Sequence, residues 1–171
     1  MKTFAKIALV AALGVFCATT LHAAEKNWTP PPYKIYAQKL SDEIMATHPE
    51  LLSVTFHGVP PGLSKVYTMF AGSFPDRNGN ADDPDDVMVV ELGITIIDPR
   101  WNRPKDSPRK FVMMTPLRDA AGGHIGLLVL AYKNPVGSTK SEMEFFADSS
   151  KLRDNLQKQI PTYASLFAQV K

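Results

Sequence analysis

Residues 109–133 read RKFVMMTPLRDAAGGHIGLLVLAYK, two apolar runs either side of a short polar break, and the reading of this stretch decides the fold. Phe111 to Thr115 can pair with Ile125 to Ala131 as antiparallel strands. Asp119 and the pair Gly122-Gly123 supply the turn chemistry between them, since a tight hairpin needs residues that tolerate positive φ. The spacing therefore predicts a β-hairpin with a Pro-Leu step before its turn and an Ile-Gly step after it.

Upstream, Asn27 to Pro32 is a proline-rich arm, and Tyr33, Tyr36, Ala37, Leu40 and Ile44 then recur at helical spacing until Thr47-His48-Pro49. Leu52, Val54 and Phe56 alternate with Ser53, Thr55 and His57, which predicts a strand with one apolar face, stopped by Gly58 and Pro60-Pro61-Gly62. A second strand is expected over Val66 to Ala71, with Val66, Thr68 and Phe70 on one side and Tyr67, Met69 and Ala71 on the other. Ser73 to Asp82 reads as loop. Asp83 suits a helix cap, Pro84 the first helical position, Asp85 and Asp86 the first turn and Gly93 the stop, so a short helix is predicted over Pro84 to Leu92. Ile94 to Ile97 reads as an edge strand, and Asp98 to Pro108, with three prolines, as a second loop. From Ser141 to Val170 an apolar stripe predicts a long helix, kinked where Pro161 removes an N–H donor.

Helix, two strands, helix, three strands and helix make an α+β domain. The residues Pro116, Leu117, Asp119, Gly122, Ile125 and Gly126 resemble the last hairpin of PAS-like and single-Cache sensory domains. HPELLSVTFHGVPPG, residues 48–62, and LRDNLQKQIPTYASLF, residues 152–167, resemble the first strand and closing helix of small secreted bacterial Cache-like proteins. The resemblance implies a five-stranded antiparallel sheet of order 2-1-5-4-3, the first helix on one face and a small-molecule pocket on the other. It also implies a sensory domain over residues 33–137, with residues 138–171 packing on it as the C-terminal helix.

Residues 1–23 carry Lys2 and Lys6, an apolar run from Ile7 to Phe16, and Leu21-His22-Ala23, the pattern of a cleaved export signal, with residues 24–32 as the arm that follows it. The run is too short to cross about 30 Å of hydrocarbon. Cys17, the one cysteine, lies inside it and lacks a small residue before it, so no lipid anchor is read there and the mature chain has neither disulfides nor thiolate metal sites. Removing the leader takes two lysines and leaves 17 basic against 17 acidic residues. This balance gives no reason to expect nucleic acid or an anionic membrane as partner. The expected product is periplasmic or secreted.

The expected ligand-binding residues are His57, Tyr67, Met69, Trp101, Arg109, Met113 and Thr115. His57 offers an imidazole, Tyr67 and Met69 amphipathic walls, and Thr115 a hydroxyl beside Met113 on the same strand face. Trp101 with Arg100, Arg103 and Arg109 combines an aromatic plate with guanidinium groups that can hold a carboxylate through two parallel N–H bonds. The acidic run Asp76 to Asp86 fails as a calcium loop, because Ala81 stands where a glycine is needed and Val87 where a closing Glu should be; it is read as helix-capping. No metal and no cofactor is expected, and none of G-x-S-x-G, H-E-x-x-H or a phosphate-cradling loop is present.

The expectation is a non-enzymatic, exported binding protein for a small organic ligand, a carboxylate among the candidates, presented to a membrane receptor or sensor kinase. The alternative is a non-catalytic accessory protein with a filled core that docks a receptor or forms a homodimer through its helices. A third reading is a small hydrolase, for which the sequence singles out no catalytic residue.

Overall fold

The computed structural model describes residues 25–98 and 107–170. The expected leader and the loop positions Arg100, Trp101 and Arg103 lie outside these residues. The fold is α+β: α1 (Tyr36–Thr47), β1 (Leu51–Gly58), β2 (Thr68–Gly72), α2 (Pro84–Leu92), β3 (Ile96–Asp98), β4 (Lys110–Arg118), β5 (His124–Lys133) and α3 (Glu142–Gln157). One antiparallel sheet runs in the order β2-β1-β5-β4-β3.

The hairpin forms the centre of this sheet and is longer than its apolar core, pairing from Lys110↔Lys133 to Arg118↔His124. Pro116 sits inside β4, opposite Leu127. It is tolerated because β3 pairs with β4 only from Val112 to Met114, so the missing N–H falls beyond the third strand. Asp119 closes the turn by accepting Gly122 N–H on its carbonyl at 2.8 Å and Gly123 N–H on Oδ1 at 2.8 Å. Of the two turn glycines, Gly122 has the positive φ, +86°.

Alternation along the strands splits the apolar residues between two faces. Val54, Phe56, Phe111, Met113, Leu128, Leu130 and Tyr132 pack under α1 and α3, with Ala37, Leu40 and Ile44 from the first helix and Phe145, Leu152 and Leu156 from the last. Phe111 and Phe145 stack with ring centroids 4.4 Å apart. On the opposite face α2 lays Val89 on Val112, Met114, Leu127 and Ala131.

Two irregularities shift β1 and β2 away from simple alternation. The register of β1 against β5 jumps between Leu51 and Ser53, so Leu51 enters the α1 core while Leu52 packs toward the α2 face. Sequence alternation puts Leu52 with Val54 and Phe56; the extra residue of the bulge reverses it. A second bulge opposite Phe56/His57 brings Phe70 and Ala71 into the same cluster.

Helix ends follow local chemistry. α2 starts on Pro84 after Asp83, whose N–H donates to Asp86 Oδ2 at 3.3 Å, and stops at Gly93. α1 begins at Tyr36 rather than Tyr33, because Ile35 is extended and pairs with Gln169. The long kinked C-terminal helix expected from the stripe is instead two pieces. α3 ends at Gln157, the chain turns through Ile160 and Pro161, and a 3-10 helix over Tyr163–Phe167 returns Tyr163 and Phe167 to Phe70. Ser141 caps α3, accepting Glu144 N–H at 3.3 Å while its own N–H donates to Glu144 Oε2 at 2.7 Å. Replacing Ser141 with Ala should cost about 1 kcal/mol, read as a lower urea midpoint at unchanged m-value; no shift in midpoint would mean the cap contributes nothing.

The proline-rich arm is docked. Asn27 and Trp28 donate backbone N–H bonds to Gly79, Ala81 N–H donates to Glu25, and Asn27 Nδ2 donates to the Tyr67 carbonyl. Gly79 makes this contact possible, since a Cβ there would stand 2.1 Å from the Trp28 carbonyl oxygen.

Candidate functional site

Ser53, Thr55 and His57 project from β1 toward the α2 side, onto a sheet face that α2 covers only in part. The uncovered remainder is a pocket of about 210 Å³. Its floor is apolar, with Met69 from β2, Val112 and Met114 from β4, and Val129 and Ala131 from β5. Asp83 and Asp86, at the start of α2, form an acidic wall; Lys110 contributes a cationic side chain, and Arg77 lies with its guanidinium 4.7 Å over the Phe74 ring.

Here two lining residues, His57 and Asp86, meet a third ionisable side chain, Asp82. His57 Nδ1 is 2.8 Å from Asp82 Oδ1 and 3.9 Å from Asp86 Oδ2. On the other side of the ring, His57 Nε2 is 2.7 Å from Thr55 Oγ1. The Asp82 side chain is 0 % exposed and its Oδ2 has no hydrogen-bond partner. Burial alone pulls the His57 imidazole down, but the charge and hydrogen bond of Asp82, with Asp86 and Asp83 behind it, outweigh this and hold it above the ordinary histidine range. Asp86 is raised, first by burial and then by Asp82, with His57 opposing. The sequence builds this locally: Thr55 and His57 are two apart on a strand and share its face, and Asp82 and Asp86 flank the cap of α2.

Of the residues expected to bind a ligand, the structure brings His57 and Met69 together in the pocket. Tyr67 stands just before β2, its hydroxyl donating to Glu91 on α2 outside the pocket lining. Met113 and Thr115 share a face as expected, but it is the other one. Met113 is buried in the α1/α3 core, and Thr115 Oγ1 accepts from Arg153 Nη1 at 3.3 Å. The side chains that β4 presents to the pocket are their neighbours Val112 and Met114. Arg109 likewise alternates with Lys110, and Lys110 is the residue in the lining. Trp101 lies outside the described residues.

Sequence reasoning missed Asp82 and Asp86 as partners of His57. The signal was the acidic run itself, read as helix-capping once it failed as a contiguous calcium loop, whereas two of its carboxylates converge on a histidine earlier in the chain. A larger groove of about 400 Å³ lies between α1 and α3. Its charged groups, such as His48 and Glu50 2.8 Å apart, are solvent-exposed and need no ligand to satisfy them. Among the described residues no helix is long and apolar enough to cross a membrane.

No family model and no curated protein matches the chain. A solved structure similar to it is a type II free methionine-R-sulfoxide reductase from Thermoplasma acidophilum, 15% identical over 72% of this chain and 87% of that one, with a TM-score of 0.45. These findings correct two expectations. The PAS and single-Cache resemblance drawn from the hairpin is not upheld, since no such family matches and the similar structure is of another kind, although the sheet order inferred from it is the observed one. The expectation of a non-enzymatic protein is not carried forward; the similar structure is that of an enzyme. So distant a likeness carries no substrate, reaction or site residue to this chain.

Proposed function

We propose that the chain is an exported protein that binds a small organic ligand in the pocket between β1, β2, β4 and the start of α2. The observation that carries this reading is the His57–Asp82–Asp86 cluster, with little side-chain exposure, of which His57 and Asp86 line a cavity of about 210 Å³. Buried charge is costly unless something uses it, and titratable groups held away from their ordinary ranges in a cleft are what binding and catalytic sites require. The pocket is smaller than the roughly 300–1,000 Å³ typical of drug-sized ligands, so the ligand is small. Its lining is divided: Asp83 and Asp86 favour a donor or ammonium group, Lys110 and Arg77 a carboxylate, and the Met69, Val112 and Met114 floor an apolar body. Export is supported by the leader-like residues 1–23.

The test is a thermal-shift screen with small amino and hydroxy acids. A ligand at a hundred times its Kd should stabilise by about 2.7 kcal/mol, a rise of several degrees in Tm. Both His57→Ala and Lys110→Ala should reduce that rise at least tenfold in ligand concentration while the circular dichroism spectrum is kept. A panel without effect on the wild-type protein, or rises equal in both variants, would reject the reading.

A second reading rests on the Thr55–His57–Asp82 chain, whose 2.7 and 2.8 Å links are those of a hydroxyl, a general base and an orienting carboxylate. In it Thr55 Oγ1 attacks an acyl carbon as His57 Nε2 takes its proton, His57 hands that proton to the departing alkoxide as the acyl–oxygen bond breaks, and a water deprotonated by the same imidazole then frees the acid and restores the Thr55 hydroxyl. Thr55→Ala should then abolish any hydrolysis of p-nitrophenyl acetate; hydrolysis that survives in Thr55→Ala refutes it.

A further inference from the structure

We propose that His57, Asp82 and Asp86 form a binding site for one first-row divalent cation of the zinc or cobalt kind, with His57 Nδ1 and one oxygen of each carboxylate as ligands. The inference shares its site with the ligand reading and makes the cation that ligand's partner, although the three side chains suffice to hold the ion alone.

Geometry is the first argument. Metal–ligand bonds of about 2.1 Å set neighbouring donors roughly 3.0–3.4 Å apart. His57 Nδ1 lies 2.8 Å from Asp82 Oδ1 and 3.9 Å from Asp86 Oδ2, on either side of that range, and the three ligating atoms all fall within 4.8 Å of one another. Small side-chain adjustments therefore open a seat for the ion without moving the backbone.

Unsatisfied valence is the second. The Asp82 side chain is fully buried and its Oδ2 meets no donor, which is rare for a carboxylate in a native interior. The cluster brings two carboxylates together around one imidazole. The α2 N-terminus offsets about half a charge at most, and it already spends the Asp83 N–H on Asp86. A divalent ion supplies what is missing.

The surroundings fit as well. A ligating histidine ordinarily donates its second ring N–H to a fixed acceptor, and Thr55 Oγ1 stands 2.7 Å from His57 Nε2 to accept it. Three protein ligands leave a fourth position toward the pocket for water or a ligand oxygen. One nitrogen and two oxygens suit zinc, cobalt or manganese better than the all-oxygen shells calcium takes.

The experiment titrates chelator-stripped protein with Zn²⁺ by calorimetry and with Co²⁺ by visible absorption. One ion per chain is expected, and both Asp82→Asn and His57→Gln should weaken binding more than a hundredfold. His48→Ala, in the other histidine–carboxylate pair, should leave it unchanged. No binding by the wild-type chain, or binding lost in His48→Ala and kept in Asp82→Asn, overturns the site. Should Asp82→Asn fail to fold, Asp86→Asn and the Co²⁺ spectrum of the wild-type protein decide. The small-acid screen is run on stripped and Zn²⁺-loaded protein in parallel. Ion binding without any acid effect removes the ligand reading alone; acid binding without ion binding removes the cation alone.

Discussion

Gly126→Ala should lower the unfolding free energy by about 4 kcal/mol, the sum of backbone strain and overpacking that each cost about 1–3 kcal/mol. Gly126 has φ +153°, and a Cβ on it would stand 2.4 Å from the carbonyl oxygen of His57. That oxygen belongs to β1, held between β2 and β5 in the middle of the sheet, so it cannot retreat as a flexible side chain would. The two central strands would have to part, at the residue that anchors the site. Such a loss is a large share of the 5–15 kcal/mol that usually separates folded from unfolded states. Urea denaturation checks it, and a change under 0.5 kcal/mol, on the order of a neutral surface substitution, would show that β1 can move after all. The Ile-Gly step after the turn is thus a device for close strand approach.

Phe70→Ala should cost about 3–5 kcal/mol, as expected for a large aromatic removed from a closed core. Phe70 is fully buried, with its ring 4.8 Å from Phe167, 6.2 Å from Tyr163 and 6.3 Å from Phe56. It joins the sheet to the 3-10 helix, as does the Tyr163 hydroxyl donating to the Val59 carbonyl at 2.7 Å. Loss of the ring should therefore lower Tm by roughly 10 °C and raise hydrogen exchange over residues 163–167 before it does so in β4 and β5. Equal exchange in all three segments would contradict this linkage.

The hairpin and α2 were legible because their signals are local: Asp119 and Gly122 in the turn, and Asp83, Pro84 and Gly93 at the helix ends. The bulge at Leu52 was not, since alternation in a sequence cannot show that one strand carries an extra residue. The break after Gln157 was hidden for a related reason. Tyr163 and Phe167 keep a helical spacing from Ile160, yet Pro161 and the pull of Phe70 redirect the chain. Within the site, His57 and Met69 could be read from strand alternation, whereas the approach of Asp82 and Asp86 depends on where a loop folds back, which no short-range pattern records. Met113 and Thr115 show the converse failure, in which the shared face is right and its direction is decided by which helix covers it.

The docked arm has a consequence for how the protein is handled. Glu25 grips Ala81, and Asn27 and Trp28 grip Gly79, on the short loop that delivers Asp82 to His57. An affinity tag fused directly ahead of Glu25, or a protease that nibbles the first few residues away, therefore acts at one remove on the histidine pocket.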